Sequence, residues 1–402
     1  MATEVPTRLL LGSGPSPVPE RVMEALALPT VGHLDPVFGE VMDETAELLR
    51  RTFRTANRAT LPVSATGSGG MDALVVNFVA PGDRVVVGVN GLFGERMADA
   101  MERAGAHVVR VDGEWGRAIP PERLIDAAAD GLDAMFVVHG ETSTGVCQPL
   151  DGLAEACRER DALLLVDCVT SLAGQPLDLD AAGVDAAFSG TQKCLNCPPG
   201  LAPFTAGERA IAKLRAREDR PRSWYFDLSL VLGYWDGESG RAYHHTAPIN
   251  MVYALREALR IVQEEGLEAR WERHARAHEA LRAALAELGL ERLAHAAARR
   301  DPFSPTASSS TRCSPSACRR AWTRRPCGAG CCSSTTSRSP AASARSPGGS
   351  GGSASWASAP PRSPSAASSR RSARCWSVTR PTPSPPSPRP GPPSENVQQW
   401  PL

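Results

Sequence analysis

The sequence predicts an α/β chain whose mostly parallel sheet is covered by helices on both faces. Short, continuous β-branched and apolar runs alternate with segments of helical period from about residue 60 to 210. Such runs belong to strands buried on both faces, and helical crossovers between them make the strands parallel. At 402 residues the chain can bury a large core and is long enough for two domains.

The strands expected in order are Arg84–Val89, His107–Val111, Ala134–Val138, Leu163–Asp167, Val184–Ser189 and Leu201–Thr205. Helical patterns fall between them, for example over Met71–Val79, Gly94–Ala104 and Leu150–Arg160. Residues 251–295 read as long helices, with Leu281, Leu285 and Leu288 supplying an apolar stripe. In open parallel sheets a ligand sits beyond the carboxyl ends of the strands. That places the expected site on the loops that follow these runs.

Charge and cysteine usage narrow the function. The formal net charge is zero, which argues against a nucleic-acid partner. The balance hides two unlike parts. Residues 1–295 hold 29 Lys and Arg against 42 Asp and Glu, a net of −13, and residues 296–402 hold 15 Arg against two acids, a net of +13. The five cysteines before residue 296 (Cys147, Cys157, Cys168, Cys194 and Cys197) show no disulfide spacing, which fits a reducing compartment. No apolar run approaches the ~18 residues that span a membrane, and Met1-Ala2-Thr3-Glu4 does not open a signal peptide. A cytoplasmic protein without a membrane segment is expected.

From about Ala296 the chain is dominated by Ser, Arg, Pro, Ala, Gly, Thr and Cys, without Ile, Met or Lys. It nevertheless carries six of the 11 cysteines and four of the eight tryptophans, which ordinary disordered tails avoid. Most of its residue types have GC-rich codons. The composition reads as a GC-rich gene translated out of frame, the alternative being a genuine basic tail. Either way no packed domain is expected from 303–402.

The chemistry-bearing residues follow the strands. Asp167 ends one run and Lys193 lies a short crossover later, in Ser189-Gly190-Thr191-Gln192-Lys193. An acid and a lysine so placed can hold opposite ends of one flat cationic cofactor. Pyridoxal phosphate needs that pair, an amine for a Schiff base and an acid for the ring nitrogen. Thr66-Gly67-Ser68-Gly69-Gly70 precedes a helical segment and offers hydroxyls and amides to a phosphate. A plain loop is the rival reading, and the third glycine of a dinucleotide fingerprint is missing. Phe93 sits on a strand-end loop, as a stacking ring or as a core residue. His139–Gly145 supplies hydroxyls for a ligand or for ordinary capping. Cys194 and Cys197 form a lone CxxC without a second ligand pair, so no zinc site is expected. His244 and His245 are adjacent and rarely share one ion, so the stretch Tyr243–Thr246 reads as a loop offering the hydroxyls of Tyr243 and Thr246, with no metal.

Together these stretches resemble class V (fold type I) pyridoxal-phosphate aminotransferases, above all the alanine–glyoxylate and serine–pyruvate or serine–glyoxylate group. The resemblance runs from about Leu10 to Leu293. It includes Gly12-Ser13-Gly14-Pro15-Ser16-Pro17, Gly32-His33, Gly88-Val89-Asn90-Gly91, His139–Gly145, Leu164-Leu165-Val166-Asp167, Ser189–Lys193, Asn196-Cys197-Pro198-Pro199-Gly200 and Tyr243–Thr246 with Pro248. It implies a seven-stranded-type sheet sandwiched by helices. The domains would be an N-terminal segment (1–20), a large cofactor-binding domain (21–250), the start of a small C-terminal domain (251–302) and an aberrant tail (303–402).

The resemblance also implies roles. Lys193 would hold pyridoxal phosphate covalently and act as base and acid, and Asp167 would pair with the ring nitrogen. Thr66, Gly67, Ser68 and Gln192 would bind the phosphate, Thr142 the ring hydroxyl, and Phe93 would stack where relatives often carry Trp. Gly14 would border the substrate. Tyr243 and Thr246 would reach the cofactor of a second subunit, giving a homodimer with shared sites. The reaction would move an amino group between a small amino acid, alanine or serine, and a 2-oxo acid, glyoxylate or pyruvate. A lyase or desulfurase of the same fold, and an impaired product of a frameshifted gene, are the alternatives. The arginine that binds the substrate carboxylate in the family has no counterpart. The stretch Ser343–Ala357 resembles its region out of frame.

Overall fold

The computed structural model describes residues 5–236 and 240–295. The chain divides into two units, Met1–Arg324 and Arg325–Leu402, and every described residue belongs to the first. The tail at 303–402, with Ser343–Ala357, lies outside the described residues.

The strands are β1 (Ala59–Val63), β2 (Arg84–Val89), β3 (His107–Asp112), β4 (Ala134–Val138), β5 (Gly140–Glu141), β6 (Val146–Cys147), β7 (Leu163–Asp167), β8 (Ala186–Phe188) and β9 (Ala202–Ala206). The helices are α1 (Glu20–Leu26), α2 (Pro36–Phe53), α3 (Gly67–Phe78), α4 (Leu92–Ala104), α5 (Pro121–Ala127), α6 (Leu153–Arg158), α7 (Glu208–Ala216), α8 (Leu228–Trp235), α9 (Ile249–Glu265) and α10 (Leu267–Glu287). Seven strands form one sheet in the order β1-β9-β8-β7-β4-β2-β3, and β5 with β6 forms a two-residue ladder. Within the seven-stranded sheet β9 alone runs against the others, antiparallel to both β8 and β1, and the β5–β6 ladder is antiparallel as well. Successive strand residues point to opposite faces. All five residues of β4 and all five of β7 are buried, so both faces are covered, as the unbroken apolar runs require.

The sheet has a switch point. The chain steps from β2 outward to β3, returns to β4, and then builds β7 and β8 on the other side. The loops leaving β2 and β4 therefore diverge and open a crevice at the carboxyl ends of the strands.

Three elements differ from the sequence expectation, each for a local reason. β1 carries Pro62, which argues against a strand. Its partner in the register is Pro203 of β9, so the missing donors coincide at one rung, and β1 is an edge strand. β8 is shorter than the run Val184–Ser189 because the Asp185 carboxylate accepts from the Leu164 N–H at 2.8 Å and from Arg209. The glycines at 67–70, read as a loop before a helix, form the first turn of α3. They are there for close packing: a Cβ on Gly70 would lie 2.7 Å from the Ala202 Cβ and 3.4 Å from the Phe188 Cβ. Gly70→Ala is expected to overpack this contact and destabilise the fold by about 1–3 kcal/mol, read as a lower urea midpoint.

α9 packs against α1 and α2, burying Val252, Leu255, Leu259 and Val262. Arg21 bonds Glu257 and Glu264, and Arg260 bonds Glu44, along the rims of these contacts. Each buried apolar side chain is worth about 1.5–3 kcal/mol, against about 0–1 for an exposed pair, so the apolar face holds α9 in place. α10 buries only Leu267, Arg270 and Trp271. Leu281 and Leu288 of the expected apolar stripe are exposed, 60% and 72%.

Candidate active site

Asp167 is the last residue of β7 and is buried. Among the described residues one donor reaches its carboxylate, the N–H of Val169 at 2.8 Å to Oδ1. Burial pushes its pKa up to about 7. The Val169 N–H and the Lys193 amine oppose that rise, and the Glu141 charge adds to it. β8 runs parallel beside β7 and ends at Phe188, so the chain after it, Ser189–Lys193, passes the same strand ends. Burial lowers the proton affinity of Lys193, and Asp167 partly restores it, so the two groups share one electrostatic environment.

The Lys193 amine donates to the carbonyl of Ser13 at 2.8 Å. Gly14 lies against this side chain: a Cβ there would sit 2.6 Å from Nζ and 2.9 Å from Cδ, and the backbone φ is +143°. Ser16 fixes the main chain of the lysine, its Oγ donating to the Lys193 carbonyl at 2.7 Å. The predicted Gly14 therefore borders the amine. Gly14→Ala is expected to displace the amine and strain the backbone. Stability should fall by about 1–2 kcal/mol, while covalent capture of pyridoxal phosphate at Lys193 falls more steeply. Thermal unfolding set beside peptide mass spectrometry separates the two effects.

The Thr66–Ser68 turn reaches the same place. A Cβ on Gly67 would lie 3.6 Å from both the Gly190 Cα and the Val169 side chain, so the start of α3 rests on the Ser189–Gly190 segment. Thr66 is the N-cap of α3 but makes no side-chain cap bond. Thr66 and Ser68 are exposed. The first amides of a helix carry no internal partner and sit at the positive end of its dipole. Gln192 Oε1 is buried and has no hydrogen-bond partner. A phosphate-bearing cofactor fits this set: helix amides without an internal partner, the two uncommitted hydroxyls of Thr66 and Ser68, and an amine and an acid further along the strand ends.

Across the switch point, Glu141 joins the two diverging loops, a role its sequence position alone did not signal. Its carboxylate accepts from the N–H groups of Phe93 (3.1 Å), Gly94 (3.3 Å) and Ser143 (3.0 Å) and from the Ser143 hydroxyl (2.6 Å). Gly91 makes room for it, since a Cβ there would meet Glu141 Cγ and Cδ. Phe93 is thus held at the first turn of α4, half-buried, with the Arg96 guanidinium 5.0 Å from its ring centre. Thr142 lies between the two anchored residues Glu141 and Ser143, half-buried. His139, at the end of β4, is buried and neutral, its pKa lowered to about 4 by burial.

Tyr243 and Thr246 stand apart. Both are exposed, and no hydrogen bond joins either to the other candidates among the described residues. Their segment is nonetheless fixed near the start of α3: His245 Nε2 bonds Ser64 Oγ at 2.7 Å, and the Tyr243 ring packs on His33 at 4.8 Å. His244 and His245 bond each other at 2.8 Å, and no group that could hold a metal is found among the described residues.

A mostly parallel sheet covered by helices, with a buried acid at one strand end and a lysine on the loop after the next strand, fits the fold type I of pyridoxal-phosphate-dependent transferases. The sequence profile described as Aminotransferase class-V matches residues 8–312, and the chain belongs to that family of pyridoxal-phosphate-dependent aminotransferases. It is 41% identical over 289 residues to an alanine–glyoxylate aminotransferase of Oryctolagus cuniculus, covering 71% of this chain and 74% of that protein. It is 40% identical over 304 residues to an (S)-ureidoglycine–glyoxylate transaminase of Bacillus subtilis, covering 71% and 73%. A solved alanine–glyoxylate aminotransferase from Nostoc sp. matches with a TM-score of 0.71 at 48% identity, covering 72% of this chain and 77% of that one. Among the described residues no helix is long and apolar enough to cross a membrane.

Proposed function

We propose that the protein binds pyridoxal phosphate at Lys193 and transfers the amino group of a small amino acid, alanine or serine, to glyoxylate or pyruvate. The observation that carries this reading is the Lys193 amine, half-buried and pressed against Gly14, on the loop that passes the strand end where Asp167 is buried. Relatives named for glyoxylate as acceptor support the substrate class.

Pyridoxal phosphate, when bound, supplies an electron sink for a carbanion at the substrate α-carbon. The protein does the rest. The start of α3, with Thr66, Gly67 and Ser68 and the Gln192 amide, binds the phosphate. Asp167 keeps a negative charge at the buried far end, Phe93 offers a flat face, and Thr142 a hydroxyl. Lys193, its proton affinity lowered by burial, reaches the free-amine form at a lower pH than an ordinary lysine. It takes the proton from the substrate α-carbon onto Nζ and returns it later. Tyr243 and Thr246, exposed on a segment fixed near Ser64, would serve the site of a second copy in a homodimer.

The same-fold desulfurase reading wants an accessible thiol of low pKa. Burial instead pushes up four of the five described thiols, those of Cys157, Cys168, Cys194 and Cys197. The test is amino transfer by the purified full chain, measured as pyruvate or hydroxypyruvate formed from alanine or serine with glyoxylate. Turnover supports the proposal. Cofactor uptake without turnover of any pair overturns the substrate assignment and marks an impaired relative that lacks the carboxylate-binding arginine.

A further inference from the structure

We propose that Arg270 is a positioning residue for Lys193, its buried guanidinium holding the Lys193–Asn196 turn that aims the amine at Gly14. The inference rests on the reading of Lys193 as the reacting amine.

Arg270 stands in the first turn of α10 and is 3% exposed. Its Nη1 donates to Glu265 Oε2 at 2.6 Å, and its Nη2 to Asn196 Oδ1 at 2.7 Å and to the Cys194 carbonyl. Burying a cation costs several kcal/mol before pairing, and an apolar side chain of similar volume fills such a place more cheaply. What the guanidinium adds is a planar fork that reaches three acceptors in fixed directions. Two of the three belong to the turn beside the lysine.

That turn holds an uncommon backbone. Asn196 has φ +53°, and its N–H donates to the Lys193 carbonyl at 3.0 Å. The same carbonyl accepts from Ser16 Oγ, and Asn196 Nδ2 donates to the Pro17 carbonyl at 3.2 Å. Three segments therefore meet at the lysine: residues 13–17, the turn, and the start of α10. Lys193 Nζ closes the set by donating to Ser13. Without Arg270 the Asn196 oxygen and the Cys194 carbonyl lose their donor, and the turn can open toward water. Glu265 keeps its bonds to Arg273 at 2.5 and 3.0 Å, so removing Arg270 strands no buried acid. The charged and titratable groups facing Lys193 are Asp167 and Cys194. Those around Arg270 are Glu265, Arg273, Cys194 and His274.

Lys193 and Lys213 are the only lysines of the sequence, which makes the test clean. The full chain without added cofactor is labelled with acetic anhydride across pH, and peptide mass spectrometry follows each lysine. In Arg270→Met the Lys193 amine should gain solvent, so its titration midpoint rises and its acid dissociation constant falls about three- to tenfold. Lys213 should be unmoved. Asn196→Gly, which tolerates the left-handed backbone but lacks the oxygen, should shift Lys193 the same way. The double variant should go no further than the larger single one. An unchanged Lys193 midpoint, a shift shared by Lys213, or additive effects would overturn the proposal. Should Arg270→Met fail to fold, Arg270→Lys keeps a charge beside Glu265 without the fork. It should reproduce the shift, and a wild-type midpoint there overturns the idea as well. The underlying reading fails by a different observation: wild-type Lys193 left unlabelled by pyridoxal phosphate and borohydride.

Discussion

Lys193→Ala is expected to abolish capture of pyridoxal phosphate by the chain and to lower amino transfer by roughly 10⁴-fold. The fold should barely notice. The side chain is half-buried and among the described residues makes one hydrogen bond, to Ser13, so stability should change by less than about 1 kcal/mol. Lys213 cannot take over. Its Nζ donates to the carbonyl of Asp133, the residue just before β4, at the end of the sheet opposite the candidate site. Borohydride treatment followed by peptide mapping reads the result directly. A variant that still carries the pyridoxyl label, or turns over at more than a few per cent of the wild-type rate, would remove Lys193 from the chemistry.

Much of this arrangement was legible in the residues. The strands β4 and β7 match their expected bounds because all their positions are buried, so the apolar run and the strand coincide. Asp167 is conspicuous as a carboxylate closing such a run. Lys193 is conspicuous because it follows the next strand run by a short loop, Ser189-Gly190-Thr191-Gln192-Lys193. What stayed hidden depends on contacts between distant segments. Pro62 concealed β1 because only the partner Pro203 makes the strand tolerable. The α3 glycines resemble a loop until Ala202 and Phe188 show why a side chain is excluded. Glu141 and Arg270 are ordinary charges in the sequence. They acquire roles only when α4 presents its first amides to one and the Lys193–Asn196 turn presents its oxygens to the other. Periodicity reports which residues are buried, and carries no information about which buried polar groups meet.

Asp167→Asn is expected to make the cofactor-free protein more stable and the enzyme much worse. The carboxyl is fully enclosed in the fold and its pKa stands at about 7, chiefly through burial. In the unfolded chain it is about 3.9. A proton held more tightly by the folded state stabilises that state only while it is bound. The contribution is whole below the unfolded value and is lost as pH rises through the folded one. From about pH 4 to pH 7 wild-type stability should therefore decline, by up to about 4 kcal/mol from this group alone. Asparagine is neutral throughout and keeps the shape, so its advantage over the wild type should grow across the same interval and level off above it. Urea midpoints of the two proteins at pH 5, 6, 7 and 8 measure this. Parallel curves would mean that the folded carboxyl titrates normally and is not the buried acid described above. Addition of pyridoxal phosphate should reverse the ranking. A cation at the strand end stabilises the ionised carboxylate and gains nothing from the amide, so the wild type should gain more stability from the cofactor than the variant does. Amino transfer should fall by roughly 10²–10³-fold in Asp167→Asn, the usual cost of removing one fixed charge from where the reaction needs it. A fold that gives up stability at neutral pH to keep an acid in an apolar strand end is explained if that acid has work to do there.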